Sequence, residues 1–521
     1  MAARKPTKKQ LQDAAVALGV DSTGTTREIA KRVTSFGYNA VESKGRRQAP
    51  QKKVKHESLI LTPKKRAKLQ ATAQDQMRNH SIVAWMIRKH LDYVSKFHVS
   101  FRTDNAELDQ SVRSLLHWHG APRNMDIARR FGRDEMLRFF ELEKVLNGDA
   151  AIIKIADGTR LQAIESDLIA PGSVPHGESL PAGINGSGLV VNAQGATDQF
   201  SICNRGPDGK AVMHDHLEPA ENVIFDAYWT RFGSQFRGVS PLSTAINTVQ
   251  DIHEGFEFNQ IKAKLHALFG LAVMRGDGEG GDMGGAGGSL DETTTGGASS
   301  ATDTHLDLQP DSISILDMMQ DDKVEVIESG TPSTEFVAGS YLFIQIALLA
   351  LDIPVTSFDS RRSSFSARIA DLNEYEVSAE SKRTKNRYVL QDYSDWLIEQ
   401  MWSDPRWRID AAADAAGMTQ ADVAHQIQWI HAGSPWLDKL KQINGDKVGI
   451  EIGLDNAIDA ARRRGSDVFE NIDKQAQVIA YAKEKGVPLS VASTSNTTIE
   501  DLITAAAAEG AEQDQEQVPD E

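Results

Sequence analysis

The sequence predicts an α+β fold that is mainly helical. Three observations carry that expectation. Leu242, Ile246, Val249, Ile252, Phe256, Ile261, Leu265 and Leu268 recur mostly every three or four residues, the stripe of a long amphipathic helix. Residues 334–351 are apolar nearly all round, as in a helix buried on several sides. Between these helices and the N-terminus lie short runs such as Ala151-Ile152-Ile153-Lys154-Ile155, which read as buried strands.

In chain order, Thr7-Lys8-Lys9-Gln10 and Thr25-Thr26-Arg27-Glu28 both fit a capping box, with Thr as cap and Gln or Glu three residues later. The first helix should stop at Gly19, and the second should carry Ile29, Val33 and Phe36 on one face. This helix pair resembles the small SAP-like or helix-extension-helix DNA-binding motifs. The resemblance makes Lys8, Lys9, Arg27, Lys31 and Arg32 candidate nucleic-acid contacts. Residues 44–68 are basic, hold Pro50 and Pro63 and read as a linker. A helix is expected from near Thr72, with Met77, Ile82, Trp85, Met86, Ile87, Leu91, Val94 and Phe97 on its apolar face. Another spans 133–146 and ends at Asn147-Gly148. Strands follow at 151–155, 161–169, 188–191, 200–204 and 222–225.

Pro241 sits well in the opening turn of the first long helix. Leu271-Ala272-Val273-Met274 reads as a strand, 276–301 as a Gly-rich flexible insert, and 312–316 with 323–327 as a hairpin. The second long helix ends at Asp352-Ile353-Pro354, because proline disfavours helical geometry in the residue before it. A Ser/Arg loop, 360–368, leads into a third long helix that Pro405 stops. A short helix is expected over 419–427, and residues 500–521 form an acidic, Ala-rich tail.

Composition bounds the function. At 521 residues, a prior of roughly 150 per domain gives about three globular units. The net charge is –16, yet residues 1–70 carry 17 Lys+Arg against 5 Asp+Glu. Such an arm either touches nucleic acid or an acidic partner, or is a solvated tail. Cys203 is the only cysteine, which excludes an internal disulfide framework and points to a reducing cytoplasm. The longest apolar runs fall short of the roughly 20 residues of a membrane span, and the N-terminus lacks a signal-peptide h-region, so no membrane is expected. His117-Trp118-His119 and His214-Asp215-His216 each place two imidazoles at spacing two, but no third ligand accompanies either. No Gly-x-Ser-x-Gly elbow, P-loop or His-Glu-x-x-His occurs. No catalytic residue, metal or cofactor is therefore expected.

The ordered set of motifs resembles the portal proteins of tailed phages, the lambda-like family. Its members are Arg78-Asn79-His80, the Gln235-Phe236-Arg237-Gly238 turn, Asp352-Ile353-Pro354, Ser363-Ser364-Phe365-Ser366-Ala367-Arg368, Pro435 to Lys441, and Arg464-Gly465-Ser466-Asp467-Val468-Phe469. Departures are Asp226 where the family commonly has histidine, Phe236 inside the turn, Asp352 for a glycine, Phe365 for a tyrosine and an extra Ser366. The resemblance implies a portal-type subunit with the following parts: a basic arm (1–69), a wing (70–240), a first stem helix (241–267), a clip with Gly-rich insertion (268–332), a second stem helix (333–357), a tunnel loop and long wing helix (358–402), a crown (403–475) and an acidic tail (476–521). It implies a homo-oligomer, a dodecameric ring at one capsid vertex through which viral dsDNA is packaged and ejected. Terminase large subunit, head-tail adaptor proteins, major capsid protein and scaffold are the implied partners. Arg361, Arg362 and Arg368 become the candidate DNA contacts in the tunnel loop, with Arg368 alternatively pairing an acid among Glu374, Glu376 and Glu380. The other reading from a different class is a nuclease or ATPase recruited to DNA by the basic helix pair.

Overall fold

The computed structural model describes residues 7–17, 23, 25–26, 56–174, 179–206, 209, 212–268, 271–275, 322–326, 333–433 and 439–487. Residues up to Leu61 form one unit and those from Thr62 another. In the first, α1 (Lys8–Ala17) starts from the expected capping box. Thr7 N–H donates to Gln10 Oε1 at 2.9 Å and Gln10 N–H to Thr7 Oγ1 at 3.5 Å. The second helix of the expected pair lies outside the described residues, apart from a helical Thr26.

The second unit opens with α2 (Pro63–Asn79), α3 (Ser81–Val94), β1 (Phe97–Ser100), α4 (Ala106–His119) and α5 (Arg133–Asn147). α2 begins at Pro63, inside the stretch expected to be linker, with proline in its first turn after an extended Thr62. The broad apolar face expected from Met77 to Phe97 is broken twice. His80 is extended between α2 and α3, and Phe97 already belongs to a strand. α5 ends as the sequence predicts, with Gly148 in the left-handed region at φ 94°.

Two three-stranded antiparallel sheets follow. One has the order β3 (Arg160–Ile164), β2 (Asp149–Ile155), β7 (Val223–Ala227). The other has the order β4 (Leu189–Val191), β5 (Thr197–Arg205), β6 (Val212–Pro219). β2 is buried on both faces. Ala150 and Ile152 join one core, and Ala151 and Ile153 join another. β6 was not anticipated, because its Met213-His214-Asp215-His216 run is polar and only half-buried.

A 3₁₀ turn at Pro241–Thr244 leads into α6 (Ile246–Leu268). β8 (Leu271–Arg275) pairs antiparallel with β9 (Asp322–Val326), with Leu271 opposite Val326 and Arg275 opposite Asp322. The expected hairpin strand 312–316 lies outside the described residues. α7 (Thr334–Leu348), α8 (Phe365–Met401), α9 (Ile409–Ala416), α10 (Gln420–Gln426), β10 (Gln428–His431), α11 (Lys439–Glu451), α12 (Ala457–Arg463) and α13 (Val468–Lys485) complete the unit. Thr419 caps α10 through the expected short-helix start, with Asp422 answering as a capping box. α13 continues through position 476, where the acidic tail was expected to begin.

α8 has 37 residues, about 55 Å at 1.5 Å per residue, and bridges two cores. Its Tyr375 and Ala379 pack with α3, α6 and α7, whereas Val389, Leu390, Tyr393, Trp396 and Leu397 pack with α4, α5, α9 and α10. β1 and β10 pair antiparallel, Phe97 opposite His431, and close the C-terminal part of the unit onto its beginning.

The expected His117/His119 pair falls on α4, where spacing two puts the rings on different faces. His119 is fully buried. Its Nε2–H donates to the Thr159 carbonyl at 2.9 Å, and its Nδ1 accepts from the Tyr393 hydroxyl at 2.8 Å. Burial lowers its pKa from 6.5 to about 4, with Arg133 adding to the effect and the Thr159 bond opposing it. A depressed folded pKa stabilises the neutral form above the unfolded value, and that contribution is lost as pH falls from about 6.5 through 4. Denaturant melts at pH 7, 5.5 and 4.5 should therefore show declining stability, and His119→Gln should flatten part of that decline.

Candidate functional site

The approach to α6 is fixed by a buried charge cluster. Asp149, first residue of β2, is completely buried. Its carboxylate accepts from Arg237 Nε (2.9 Å) and Nη2 (2.8 Å), Arg66 Nη2 (2.9 Å), Ser166 Oγ (2.5 Å) and the Gly238 N–H (2.9 Å). Burial alone would raise the Asp149 pKa, but Arg237 and Arg66 together hold it well below the carboxylate range. Burial, with repulsion from Arg237, lowers Arg66 to about 10. Arg237 also donates to the Ile169, Ser166 and Ser187 carbonyls, so one guanidinium ties three segments together. Gln235 shapes the turn before it. Its Oε1 accepts from Thr230 and Arg231 N–H, and its Nε2 donates to the Tyr228 and Arg237 carbonyls. Gly238 then passes so close to Gly148 that a Cβ would sit 1.8 Å from the Gly148 oxygen. The Gln235-Phe236-Arg237-Gly238 motif thus acts by aiming the chain into Pro241 and α6.

A second buried cluster holds β7, α5 and α8 together. Glu141 accepts from His90 Nε2–H (3.0 Å), Lys144 Nζ (2.8 Å) and the Tyr228 hydroxyl (3.0 Å), while Lys144 also reaches Asp226 at 2.6 Å and Asn386 at 3.2 Å. Burial favours the neutral acid, but Lys144 and His90 outweigh it and keep Glu141 ionised. Asp226, the departure from the family's histidine, is thus a partner of Lys144.

Among the described residues, α6 and α7 are anchored in the core near one end of the pair. Leu242, Ala245, Val249 and Ile252 meet Ile344, Ala347, Leu348 and Leu351 in the core. Past Ile252 the pair leaves it: Phe256 packs edge-on against Phe336 at 5.5 Å, while Phe258 and Ile261 are 68% and 51% exposed. On α7, Val337, Leu342, Phe343 and Ile346 are exposed too, as is Leu349 in the turn after it. Solvent-facing aromatic and aliphatic side chains in one stripe mark an unfilled contact surface. Residues Thr334–Leu351 also form, among the described helices, one long and apolar enough to cross a membrane by length and composition. Ile344, Ala347, Leu348 and Leu351 on its inner face belong to the core just described.

α7 ends in a 3₁₀ turn and Asp352, which adopts the left-handed conformation at φ 60°. This is the position where the family's glycine would need no compensation. The Asp352 carboxylate accepts from Ser378 Oγ at 2.7 Å and Lys382 Nζ at 2.9 Å, and Lys382 also donates to the Leu351 carbonyl at 3.0 Å. Asp352→Ala loses both bonds and keeps the unfavourable φ, whereas Asp352→Gly loses the bonds but not the backbone freedom. Equilibrium unfolding should rank the two accordingly, with alanine the less stable by on the order of 1 kcal/mol.

The loop from α7 to α8 is pinned by Thr356, buried, and by Phe358, edge-on to Trp85 at 5.6 Å. A 3₁₀ turn at Ser360–Arg362 is capped by Asp359, and Ser364 caps α8 by accepting from Ala367 N–H. The Arg361 side chain is 90% exposed, with Nε 3.2 Å from Asp359 Oδ1. Arg368 is exposed on the first turn of α8. The Arg362 side chain lies outside the described residues. Of the acids weighed as Arg368 partners, Glu376 pairs with Arg383 at 2.6 Å and Glu380 with Arg387 at 2.5 Å. The loop therefore brings Arg361 and Arg368 to one exposed segment. Lys8 and Lys9 are exposed on α1, in the separate unit, and Arg27, Lys31 and Arg32 lie outside the described residues.

The His214 and His216 rings go separate ways. His214 Nδ1 bonds Ser201 Oγ at 2.9 Å, and His216 lies between Asp215 and Glu218. Among the described residues no group of three or more His, Cys, Asp or Glu is placed to hold a metal.

Fold and site together define an α+β protein, mainly helical with small sheets, that carries an apolar helix pair and a basic loop. The chain matches the family of phage portal proteins, lambda family, over residues 44–381, well over half its length, and it belongs to that family. Among solved structures it is similar to a chain from the virion of the native gene transfer agent (GTA) particle. That match has a TM-score of 0.39 and 12% identity, covering 74% of this chain and 89% of the other. A chain from the neck of the native GTA particle, computed with C12 symmetry, gives a TM-score of 0.40 at 12% identity, covering 78% and 94%. No curated protein matches the chain.

Proposed function

We propose that this chain is the portal subunit of a tailed-phage-like virion, with copies standing side by side in a dodecameric ring around a dsDNA channel. The observation that carries this reading is the exposed apolar stripe of α6 and α7, which a single chain leaves in water. A neighbouring copy presenting the same helix pair would bury it. In this reading residues 70–240 are the wing, α6 and α7 the stem, β8 and β9 part of the clip, and the C-terminal helices the crown. Terminase large subunit and then the head-tail adaptors dock at the clip, while major capsid protein and scaffold meet the outside of the ring.

Arg361, Arg362 and Arg368 face the duplex. With a net charge of –16 per chain, most of the wall repels DNA and a few arginines supply weak, exchangeable phosphate contacts. Such a channel permits sliding without tight binding. Arg361→Glu combined with Arg362→Glu should leave the ring intact by electron microscopy but impair packaging or retention of DNA. Normal packaging by intact rings of that variant would remove these arginines from the channel. The basic arm, through Lys8, Lys9, Arg27, Lys31 and Arg32, is a second nucleic-acid contact in this reading.

A further inference from the structure

Two loops meet at the Trp118 end of α4. One, residues 120–133, is closed at its base by the Arg133 N–H, which donates to the Gly120 carbonyl at 3.0 Å. Inside it the buried Asp126 accepts from the Ala128 (3.1 Å), Arg130 (2.8 Å) and Phe131 (3.2 Å) N–H groups, which fixes the path of the chain. The other loop, residues 402–408, follows α8. Its Trp407 packs on Trp118 at 5.6 Å, and Arg406 lies over the Trp118 ring at 5.0 Å. The Trp118 carbonyl accepts from Asn124 Nδ2 at 2.7 Å, so one tryptophan joins the two loops. Arg361 precedes α8 and Arg406 follows it, which sets this surface about 55 Å from the α7–α8 loop.

Together the loops carry six arginines, no lysine and only two acids, Asp126 and Asp404, in a chain of net charge –16. Asp126 is occupied by backbone N–H groups. Arg406 pairs with Asp404 at 2.6 Å and Arg133 with Asp134 at 3.2 Å. Arg123, Arg129, Arg130 and Arg408 are exposed, and among the described residues none of the four pairs with a carboxylate. Arg129 and Arg408 also sit in the left-handed region, at φ 59° and 52°, which long side chains disfavour. Unpaired guanidiniums on a fixed framework suit bidentate contact with phosphate, and Arg does this where Lys offers only a point charge. We infer that Arg123, Arg129, Arg130 and Arg408 form a second site for the phosphate backbone of duplex DNA, separate from the α7–α8 loop. Phosphate is the chemistry these side chains select, and duplex DNA as its source rests on the portal reading. The acidic body repels the duplex elsewhere and confines the contact to these loops. Contacts to phosphate alone read no sequence.

The test is fluorescence anisotropy of a labelled duplex of about 30 base pairs with the full chain, between about 50 and 200 mM salt. The variant Arg123→Gln, Arg129→Gly, Arg130→Gln, Arg408→Gly removes all four charges. Glycine suits the left-handed φ at two of the positions, so the melting temperature should stay close to the parent's. Affinity should fall at least about tenfold at the lower salt, and the slope of log K against log salt should shrink by about 3 to 4. A second variant, Arg123→Gln with Arg130→Gln, leaves both left-handed positions untouched and should lose about half as much slope. Equal affinity and slope in parent and variants would overturn the inference, because the basic N-terminal arm is common to all three and would then account for the binding. A parent that binds no duplex would overturn it, as would poly-glutamate displacing the labelled DNA as well as unlabelled duplex does. Electron micrographs of the same samples read the ring separately. Rings with unchanged DNA binding remove this site alone, and monomers with the expected loss keep the site and remove the ring.

Discussion

Asp149→Ala should cost about 3–5 kcal/mol, the range for removing one partner of a buried ion pair, and leave little of a typical folding margin of about 5–15 kcal/mol. The reason is charge count. One carboxylate balances two buried guanidiniums, and its removal strands both together with the Gly238 N–H. The arginines should not be equivalent. Arg237 bonds Asp149 through two nitrogens and also satisfies three carbonyls, whereas Arg66 has a buried Nη1 without a partner. Removing Arg66 leaves a balanced Arg237–Asp149 pair. The expected order of destabilisation is therefore Asp149→Ala, then Arg237→Met, then Arg66→Met, read by denaturant unfolding. A finding that Arg66→Met is the most damaging would mean that the charge balance has been misjudged. Loss of this cluster should also misdirect α6, so partly folded variants should fail to assemble.

Phe258→Asp combined with Leu342→Asp should convert the assembly to monomers without unfolding the chain. Both side chains are more than half exposed in the single subunit, so the fold gives up little packing. Burying an apolar side chain of this size is worth about 1.5–3 kcal/mol, and a buried unpaired carboxylate reverses the sign. In the proposed ring each copy has two neighbours, so the loss would apply at both sides of every copy. Mass photometry should show the variant as single chains, with circular dichroism and melting temperature close to the parent's.

The sequence was most informative where side-chain period and end signals coincide. α5 with its left-handed Gly148, α10 within 419–427, and β2 over its mostly apolar 151–155 run all lie where expected. α2 was hidden because its inward face is polar. Arg66, Gln70 and Gln76 are the buried residues beside Ala73, so a basic stretch that reads as linker is a core helix. The β1–β10 pairing was out of reach for another reason: two four-residue strands, Phe97–Ser100 and Gln428–His431, meet across most of the chain, and neither alternates clearly. Of the candidate site, the basic loop could be read from Ser360-Arg361-Arg362, but Asp149 could not. The Gln235-Phe236-Arg237-Gly238 motif was legible as a turn, and only the fold shows that its arginine is held by Asp149.

The same limit holds for α6 and α7. A stripe on α6 is equally compatible with a core helix, and it is the exposure of Phe258, Ile261, Leu342 and Phe343 in the folded chain that separates the two. The most direct measurement is negative-stain electron microscopy of the purified chain, with the Phe258→Asp, Leu342→Asp variant alongside. Rings with a central hole for the parent, and none for the variant, are the predicted result. A parent chain that stays monomeric, or rings that survive both aspartates, would contradict assembly through the α6–α7 surface.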